Sequence, residues 1–387
     1  MEKTGGEKMH IAIITEYNPF HTGHEYQLSE IRKAFPCACI TAIMGGIFSQ
    51  RGEPYITTPY VRAEAALMCG ADLVIELPFP FSCAPANIFA RAGVEIAAKI
   101  GADILAFGSE CGDIEKLKKM LTRLESDEFK AIAESKENSH LSKTRAYAKA
   151  YNELYGENCA DKPNDILALE YLRAIKKGGY SIKPYTIKRI GDFKSGEDGY
   201  ASATSIRNDF ARCGTQALTD KVPKAAENIY KSSIFGSDIE KLSSAVMLRL
   251  IEAGGDIAFS GGGLLNHIKN AARTSSSISE LRKNAATKRY TDAEISRFIL
   301  YALLNVTRSE IDAPVYYTRF FGANAKGCEV LNKTHNIEII TKPSATQTLS
   351  DAARTQYEKT FAAERAFALC LDEKYEHLRQ TPKVRIS

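Results

Sequence analysis

The sequence lacks any run of about 18 apolar residues, so it predicts no transmembrane helix. Its first residues are polar and lack the apolar core of a signal peptide. Its nine cysteines are scattered and include no Cys-x-x-Cys pair, so they indicate neither a zinc ribbon nor a disulfide framework. We therefore expect a cytoplasmic protein without a membrane partner. A net charge of +4 is too small to identify a nucleic-acid partner, so the distribution of the charge has to be considered.

Short β-type runs alternate with helical stretches that end in glycine. Predicted strands lie at 11–14, 38–44, 72–77, 103–107 and 185–190, and predicted helices at 62–69, 87–100 and 166–177. This alternation indicates βαβ units and a parallel sheet. In such sheets a ligand binds beyond the carboxyl ends of the strands. We therefore expect one crevice to be bordered by residues 15–24, 45–52, 78–85 and 108–112.

The length of 387 residues predicts two domains. We predict an α/β fold in which a Rossmann-like parallel-sheet domain, residues 9–215, carries a helical insertion at 114–155. A smaller, mainly helical α+β domain would follow at 216–387, with strands at 315–322 and 337–341 and a last helix at 350–371. A loop at 191–199, rich in glycine and aspartate, leads to a short helix that ends near Gly214.

The stretch at 11–24 predicts an anion site. Residues 11–14 form a buried strand, and His21 and His24 follow at the start of an amphipathic helix. A helix N-terminus directs backbone N–H groups and the positive end of its dipole at one spot. Two imidazoles three residues apart share one face of the first turn, and Gly23 allows a ligand to approach the backbone closely.

Two simpler interpretations of these histidines remain open. They could be a metal pair, or a helix cap and a surface residue. A metal would need a third ligand, and no other histidine shows a matching cluster, so we predict no metal site in the protein. The position directly after a β-type run favours the nucleotide site.

The second candidate phosphate site lies at 202–207. Hydroxyls at a helix start, backed by Arg207 one turn later, suit phosphate oxygens. Alone, this pattern is more typical of an ordinary N-cap with a solvated arginine. Combined with His-x-Gly-His after the first strand, it resembles the two signature motifs of the nucleotidyltransferase superfamily, which also contains class I aminoacyl-tRNA synthetases.

The resemblance to that superfamily implies attack of an oxygen nucleophile on the α-phosphate of ATP, with release of pyrophosphate. Such a reaction needs positioning and charge stabilisation rather than a covalent nucleophile. His21 and His24 would be the catalytic residues and bind the phosphate oxygens. Arg189 and Arg207 would neutralise the pyrophosphate. Magnesium is expected as a cofactor that is bound mainly through the phosphates.

Several longer motifs resemble the bacterial tRNA(Met) cytidine acetate ligases. They lie at 15–24, 50–54, 70–78, 107–110 and 202–207, and looser similarity continues at 288–291 and 320–322. The resemblance implies a nucleotidyltransferase-type ATP-binding catalytic domain at 9–215 and a tRNA-binding domain at 216–387. It implies that acetate is activated with ATP as acetyladenylate, without acetyl-coenzyme A. The acetyl group would then pass to the wobble cytidine of elongator tRNA(Met), giving N4-acetylcytidine.

The resemblance also implies an ATP site. Three residues would complete it: Gly108, Asn164 and Arg189. Each also has a simpler interpretation, as a strand end, a helix cap and a surface residue respectively. The implied ATP-binding residues are Ile14, Thr15, Glu16, Tyr17, Asn18, Pro19, Phe20, His21, Gly23, His24, Gln27, Gly108, Asn164, Arg189, Ser202, Thr204, Ser205 and Arg207.

The chain departs from the pattern of this family at two positions. Thr22 stands where the family commonly has asparagine, and a hydroxyl there should be tolerated. Pro59 stands where the family usually has a lysine shortly before the arginine that matches Arg62. If that lysine contacts tRNA or pyrophosphate, the chain lacks the contact.

Between residues 267 and 300, seven lysines and arginines outnumber three acidic residues. Phosphate contacts supply most of the affinity for a nucleic acid, so we predict tRNA binding by Lys269, Lys288, Arg289 and Arg297. The alternative is a solvated helix face. Tyr290 could stack on an unstacked anticodon base, although such a tyrosine is more often a core residue.

Two other functions fit the same two motifs. An adenylyltransferase acting on a small phosphorylated cofactor precursor would not need the basic second domain. A non-catalytic RNA-binding factor with a nucleotide site would bind ATP and tRNA without releasing pyrophosphate. No protein partner is evident from the sequence.

Overall fold

The computed structural model describes residues 9–135, 143–156, 162–190, 201–233, 236–261 and 263–371. The loop predicted at 191–199 lies outside the described residues. Seven described strands form one sheet in the order β5-β4-β1-β2-β3-β6-β7. They are β1 (His10–Thr15), β2 (Cys39–Gly45), β3 (Leu73–Leu77), β4 (Ile104–Ser109), β5 (Lys183–Lys188), β6 (Tyr317–Ala323) and β7 (Glu338–Ile340).

The sheet is mostly parallel, because only the β3–β6 pair is antiparallel. β2 and β3 are buried along their whole length, and β1 is buried over most of it. Continuous apolar runs are typical of parallel strands that are covered on both faces. The predicted α/β fold with a parallel sheet is confirmed.

Helices cover both faces of the sheet. α3, α4 and α7 pack on one face, and α1, α2, α8 and α9 on the other. The insertion predicted at 114–155 is present as α4, α5 and α6. The helices are α1 (Thr22–Ala34), α2 (Pro59–Met68), α3 (Ala86–Lys99), α4 (Ile114–Leu124), α5 (Asp127–Ala133), α6 (Lys143–Tyr155), α7 (Pro163–Gly178), α8 (Ala203–Cys213), α9 (Lys224–Lys231), α10 (Ser243–Glu252), α11 (Leu264–Ala272), α12 (Ile278–Ala285), α13 (Asp292–Leu304), α14 (Arg308–Asp312), α15 (Ala325–Lys333) and α16 (Asp351–Cys370).

The last two strands lie within the predicted second domain, residues 216–387, and extend the sheet of residues 9–215. β6 pairs with β3, with Ile75 opposite Phe320, and β7 pairs with β6. An uncovered apolar edge at β3 would be open to pairing with another chain, and β6 closes it. The boundary proposed between residues 215 and 216 therefore does not separate two sheets.

A buried ion cluster fastens β6 to the rest of the sheet. The guanidinium of Arg319 donates to both carboxylate oxygens of Glu76 on β3, at 2.5 and 2.6 Å. It also donates to Glu364 on α16. All three side chains are nearly inaccessible to solvent. Removing one member of such a cluster leaves an uncompensated buried charge, so the three elements are held together.

The segment at 214–231 also packs against the residues around the start of α1. The hydroxyl of Tyr230 on α9 accepts a hydrogen bond from the backbone N–H of Phe20 at 2.9 Å. The backbone N–H of Thr22 donates to the carbonyl of Lys221 at 3.2 Å. No helix in the described part of the chain has the length and hydropathy needed to cross a bilayer.

Candidate functional site

A cleft of about 310 Å³ opens at the carboxyl ends of β1, β4 and β5. This is the edge where a parallel sheet of βαβ units places its ligands. All of the predicted ATP-site residues line the cleft except Pro19, Phe20 and Ser205. Pro19 and Phe20 are buried in the turn behind it. The hydroxyl of Ser205 is directed to Asp209 on the exposed side of α8, at 3.5 Å.

The two predicted histidines form the N-terminus of α1. His21 is the N-cap, and its Nδ1 accepts the backbone N–H of Gly23 at 3.0 Å. The Nδ1 of His24 accepts the backbone N–H of His21 at 3.3 Å. The rings stack with centroids 3.8 Å apart. The first N–H groups of the helix are therefore partly satisfied by imidazole nitrogens, and do not all remain free for an anion as the sequence suggested.

Gly23 is required by this stack. A Cβ at this position would lie 2.9 Å from Cε1 of His21, which is closer than real side-chain contacts allow. The sequence suggested that Gly23 leaves space for a ligand. The structure shows that this space holds the His21 ring.

Both imidazoles are neutral hydrogen-bond donors. Burial, followed by the positive charges of Arg189 and Arg207, lowers the pKa of His21 from 6.5 to about 3. Burial, followed by the neighbouring His21 and Arg189, lowers the pKa of His24 well below its usual value. Because each Nδ1 accepts a backbone N–H, the proton of each neutral ring is assigned to Nε2. The stack therefore presents two Nε2–H donors.

Arg207 connects the two predicted motifs. α8 begins after Ser202, whose hydroxyl accepts the backbone N–H of Ser205 at 3.1 Å, so Ser202 is the N-cap of this helix. One turn later, the guanidinium of Arg207 donates to the carbonyl of Asn18 at 2.8 Å and to the hydroxyl of Thr204 at 3.3 Å. The turn after β1 and the start of α8 therefore meet at one guanidinium.

Glu110 organises the opposite wall of the cleft and was not predicted. Its carboxylate accepts the side-chain amide of Asn164 at 2.6 Å and the backbone N–H of Asp165 at 2.8 Å. It therefore caps α7, a role that the sequence suggested for Asn164. The Oδ1 of Asn164 is then left to accept Arg189 at 3.4 Å. The signal that could have identified Glu110 is its place in the sequence motif at 107–110, which resembles the family.

The loop between β2 and α2 forms a further wall. The backbone N–H of Gln50 donates to Oε1 of Glu16 at 2.7 Å, and the Gln50 carbonyl accepts Arg297 of α13 at 2.8 Å. This loop lies in the predicted border at 45–52, but its individual residues were not selected. The unpredicted lining residues are Tyr26, Ser49, Gln50, Arg51, Phe89, Phe107, Pro163, Leu167, Tyr171, Ile187, Lys188, Ile190, Ala201 and Ala203.

Cationic side chains dominate the charge of the cleft. Arg51, Lys188, Arg189 and Arg207 line it together with a single carboxylate among the described residues, that of Glu16. A cleft with a surplus of cations and two neutral donors suits a polyanion such as a triphosphate.

Comparison with known proteins identifies the family of this chain. A family model described as HIGH Nucleotidyl Transferase matches residues 9–381. A protein of Caldicellulosiruptor bescii named tRNA(Met) cytidine acetate ligase is 34% identical over 85% of this chain and 86% of its own length. One of the same name from Caldanaerobacter subterraneus is 35% identical over 92% and 94%. The chain belongs to the tRNA(Met) cytidine acetate ligase family of HIGH nucleotidyl transferases. The resemblance seen in the sequence is confirmed.

A solved structure of this family has the same fold. The crystal structure of Thermotoga maritima TmcAL bound with alpha-thio ATP superposes with a TM-score of 0.87 at 25% identity, covering 98% of this chain and all of that one. The apo structure of the same protein also superposes with a TM-score of 0.87.

The two departures from the family pattern have local explanations. The hydroxyl of Thr22 donates to the carbonyl of Lys221 at 3.4 Å. Pro59 is the first residue of α2, where a proline costs no helix hydrogen bond. Arg62, one turn later, is fully buried and donates to the carbonyls of Glu16 and Gly45 at 2.6 and 2.9 Å, and to that of Gly46.

The predicted tRNA-binding residues of this ligase-family chain fall into two groups. Lys288 and Arg289 are exposed in the loop between α12 and α13, and Lys269 is half-buried on α11. None of these three forms an ion pair with the described part of the chain. Arg297 instead donates to the Gln50 carbonyl and supports the cleft.

The acidic residues of this region are largely engaged. Asp292 pairs with Arg282, which also contacts Glu53 at 3.3 Å. Glu294 completes a capping box with Thr291 at the start of α13. Their charges therefore do not compensate Lys288 and Arg289. Tyr290 lies beside them, half-buried, with its ring 5.5 Å from that of His267.

Proposed function

We propose that this chain is an ATP-dependent ligase that activates acetate as acetyladenylate and acetylates the wobble cytidine of elongator tRNA(Met). The observation that carries the proposal is the meeting of the neutral His21–His24 stack with Arg207 in one cationic cleft. Membership of a family whose curated relatives bear the name of this reaction supports it. Because ATP and tRNA are the proposed substrates, the proposed location of the reaction is the cytoplasm.

The first step joins acetate to the α-phosphate of ATP. An acetate oxygen attacks phosphorus, and the bond to the β-phosphate oxygen breaks, so pyrophosphate leaves. The Nε2–H donors of His21 and His24 bind the phosphate oxygens as negative charge develops, and Arg189 and Arg207 stabilise the departing pyrophosphate. Because both imidazoles are already neutral, they act as donors over the physiological pH range without releasing a proton.

Magnesium in this proposal is held by the phosphates. Among the described residues, no group of three or more His, Cys, Asp or Glu side chains is placed to hold a metal ion. Magnesium commonly retains waters and substrate phosphates as most of its ligands, which suits such a cleft. When bound, it supplies additional charge stabilisation.

The second step transfers the acetyl group to the amine of the cytidine. The exposed Lys288 and Arg289, with Lys269, form the proposed tRNA surface. Their charges are not neutralised by ion pairs with described residues, so they remain available to phosphates. The cytidine has to leave its stack to reach the cleft.

The proposal is tested with radiolabelled acetate, ATP, magnesium and total bacterial tRNA. We expect label in acid-precipitable RNA that requires ATP and does not require coenzyme A, and nuclease digestion should locate it on one cytidine. Absence of label, together with pyrophosphate release on adding phosphorylated cofactor precursors, would instead identify an adenylyltransferase. A negative result in both assays would instead indicate a non-catalytic RNA-binding factor with a nucleotide site.

A further inference from the structure

We propose that the carboxylate of Glu16 accepts the proton that leaves the nucleobase amine during acetyl transfer. This role rests on the proposed function and deepens it, because it assigns the base of the second step. Three observations carry the assignment: Glu16 lies in the cleft, its side chain is held in place with one oxygen left over, and the other lining groups are unsuited to accept a proton.

Glu16 follows β1 directly and is fixed through its backbone. Its carbonyl accepts the guanidinium of Arg62 at 2.6 Å. Arg62 also donates to the carbonyls of Gly45 and Gly46 at the end of β2. A buried arginine that bonds three carbonyls from two strand ends holds the turn after β1 in register with β2.

The side chain of Glu16 is fixed through only one of its oxygens. Oε1 accepts the backbone N–H of Gln50 at 2.7 Å and the hydroxyl of Tyr55 at 3.4 Å. Tyr55 is in turn stacked under the guanidinium of Arg62, which lies 4.0 Å from its ring centroid. Oε2 has no hydrogen-bond partner among the described residues. A carboxylate held in this way presents one basic oxygen in a defined position, which proton transfer requires.

The other lining groups cannot serve as the base. Among the described lining residues, Glu16 alone is a carboxylate. The Nδ1 atoms of His21 and His24 already accept backbone N–H groups, and their Nε2 atoms carry protons. Burial holds the pKa of both imidazoles low, which makes them weak bases. The remaining charged lining side chains are cations.

The charge of Glu16 acts across the cleft. Tyr171 of α7 is buried, and its hydroxyl has no partner among the described residues. Burial raises the pKa of Tyr171, and the negative charge of Glu16 raises it further. Glu53, followed by Glu16, interacts electrostatically with Arg207 of α8. Glu16, Tyr171 and Arg207 all line the cleft.

The chemistry separates the two steps of the reaction. In the first step acetate arrives as an anion, so its attack on ATP requires no proton acceptor. In the second step the amine nitrogen attacks the acetyl carbonyl and forms the C–N bond. The bond between the carbonyl carbon and the phosphate oxygen breaks, AMP leaves, and one proton of the amine passes to Glu16 and then to water. Only this second step should depend on Glu16 as a base.

The test measures the two steps separately in Glu16→Gln. The glutamine retains an oxygen that can accept the Gln50 N–H, so the loop should be preserved. Because Glu16 also lines the ATP site, we expect some loss of acetate-dependent ATP–pyrophosphate exchange, at least about ten-fold smaller than the loss of transfer. Single-turnover transfer from preformed acetyladenylate to tRNA should be at least about 100-fold slower, the usual effect of losing a general base. Glu16→Asp, which keeps a displaced carboxylate, should transfer faster than Glu16→Gln.

Glu64→Gln is the matched control. Glu64 is a half-buried carboxylate of α2 that does not line the cleft. Both steps should therefore proceed as in the unmodified protein. Equal losses of exchange and transfer in Glu16→Gln would overturn the proposal and indicate a role in ATP binding. Undiminished transfer would overturn it as well. Absence of acetate-dependent exchange in the unmodified protein would refute the proposed function itself, and this role with it.

Discussion

Two substitutions of His24 separate its structural role from its proposed catalytic role. The Nδ1 of His24 accepts the N–H of His21, while its Nε2–H is the proposed donor to phosphate. Asparagine places an oxygen near the position of Nδ1 and has nothing at Nε2. Glutamine reaches the position of Nε2 with an amide N–H, but cannot satisfy the His21 N–H equally well. The two variants therefore lose opposite halves of the imidazole.

The expected magnitudes differ clearly. Loss of one donor to a developing oxyanion costs about 100- to 1000-fold in rate, or roughly 3–4 kcal/mol. Loss of one helix-cap hydrogen bond costs about 1 kcal/mol of stability. His24→Asn should thus lose at least about 100-fold in acetate-dependent ATP–pyrophosphate exchange while its melting temperature changes by only a few degrees. His24→Gln should retain more activity and be the less stable of the two.

Exchange with labelled pyrophosphate and thermal denaturation by circular dichroism measure both quantities on the same preparations. Nearly normal exchange in His24→Asn would refute the role of Nε2–H. A loss of exchange that follows the loss of stability across both variants would show that His24 matters only as a cap.

Other expected outcomes concern the charges of the molecule. Burial, followed by the charges of Arg189 and Arg207, lowers the pKa of His21 from 6.5 to about 3. Because the folded state binds this proton more weakly than the unfolded state, the contribution of His21 to stability should be complete above about pH 6.5 and lost as the pH falls to about 3. Denaturation as a function of pH should show a smaller loss in His21→Asn. Alanine at both Lys288 and Arg289 should weaken tRNA binding and reduce the slope of log Kd against log salt by about 1–2, and an unchanged slope would place the tRNA surface elsewhere. Arg319→Ala should lower the free energy of unfolding by about 3–5 kcal/mol, because the carboxylate of Glu76 would remain buried without its partner. Urea titrations measure this change. A loss below about 1 kcal/mol would contradict the importance of this ion cluster for stability.

Local patterns in the sequence predicted the elements that present the site. Strand β1, the histidines of α1 and the cap at Ser202 follow from turn residues, apolar runs and hydroxyls within a few positions of one another. β6 and β7 were also predicted near their observed positions. Their partner strand was not, because a strand pattern contains no information on which edge it joins.

The contacts that support the site could not be predicted in this way. Glu110 caps α7 from a position 54 residues away, and Arg297 reaches the Gln50 carbonyl across 247 residues. The spacing of apolar and polar residues along the sequence predicts local elements, but not contacts between residues so far apart. For the same reason the prediction that Arg297 binds tRNA rested on its basic neighbourhood, and its contact with the Gln50 carbonyl was not predicted.

The antiparallel pairing of β3 with β6 has a consequence for synthesis of the chain. Phe320 lies roughly 245 residues after its partner Ile75. At about 5–20 residues per second, a ribosome would expose the apolar edge of β3 for roughly 10–50 s before its neighbour is made. An open edge of this kind templates association between chains. Nascent or prematurely terminated chains that end before β6 should therefore be the species of this protein that most need chaperone protection.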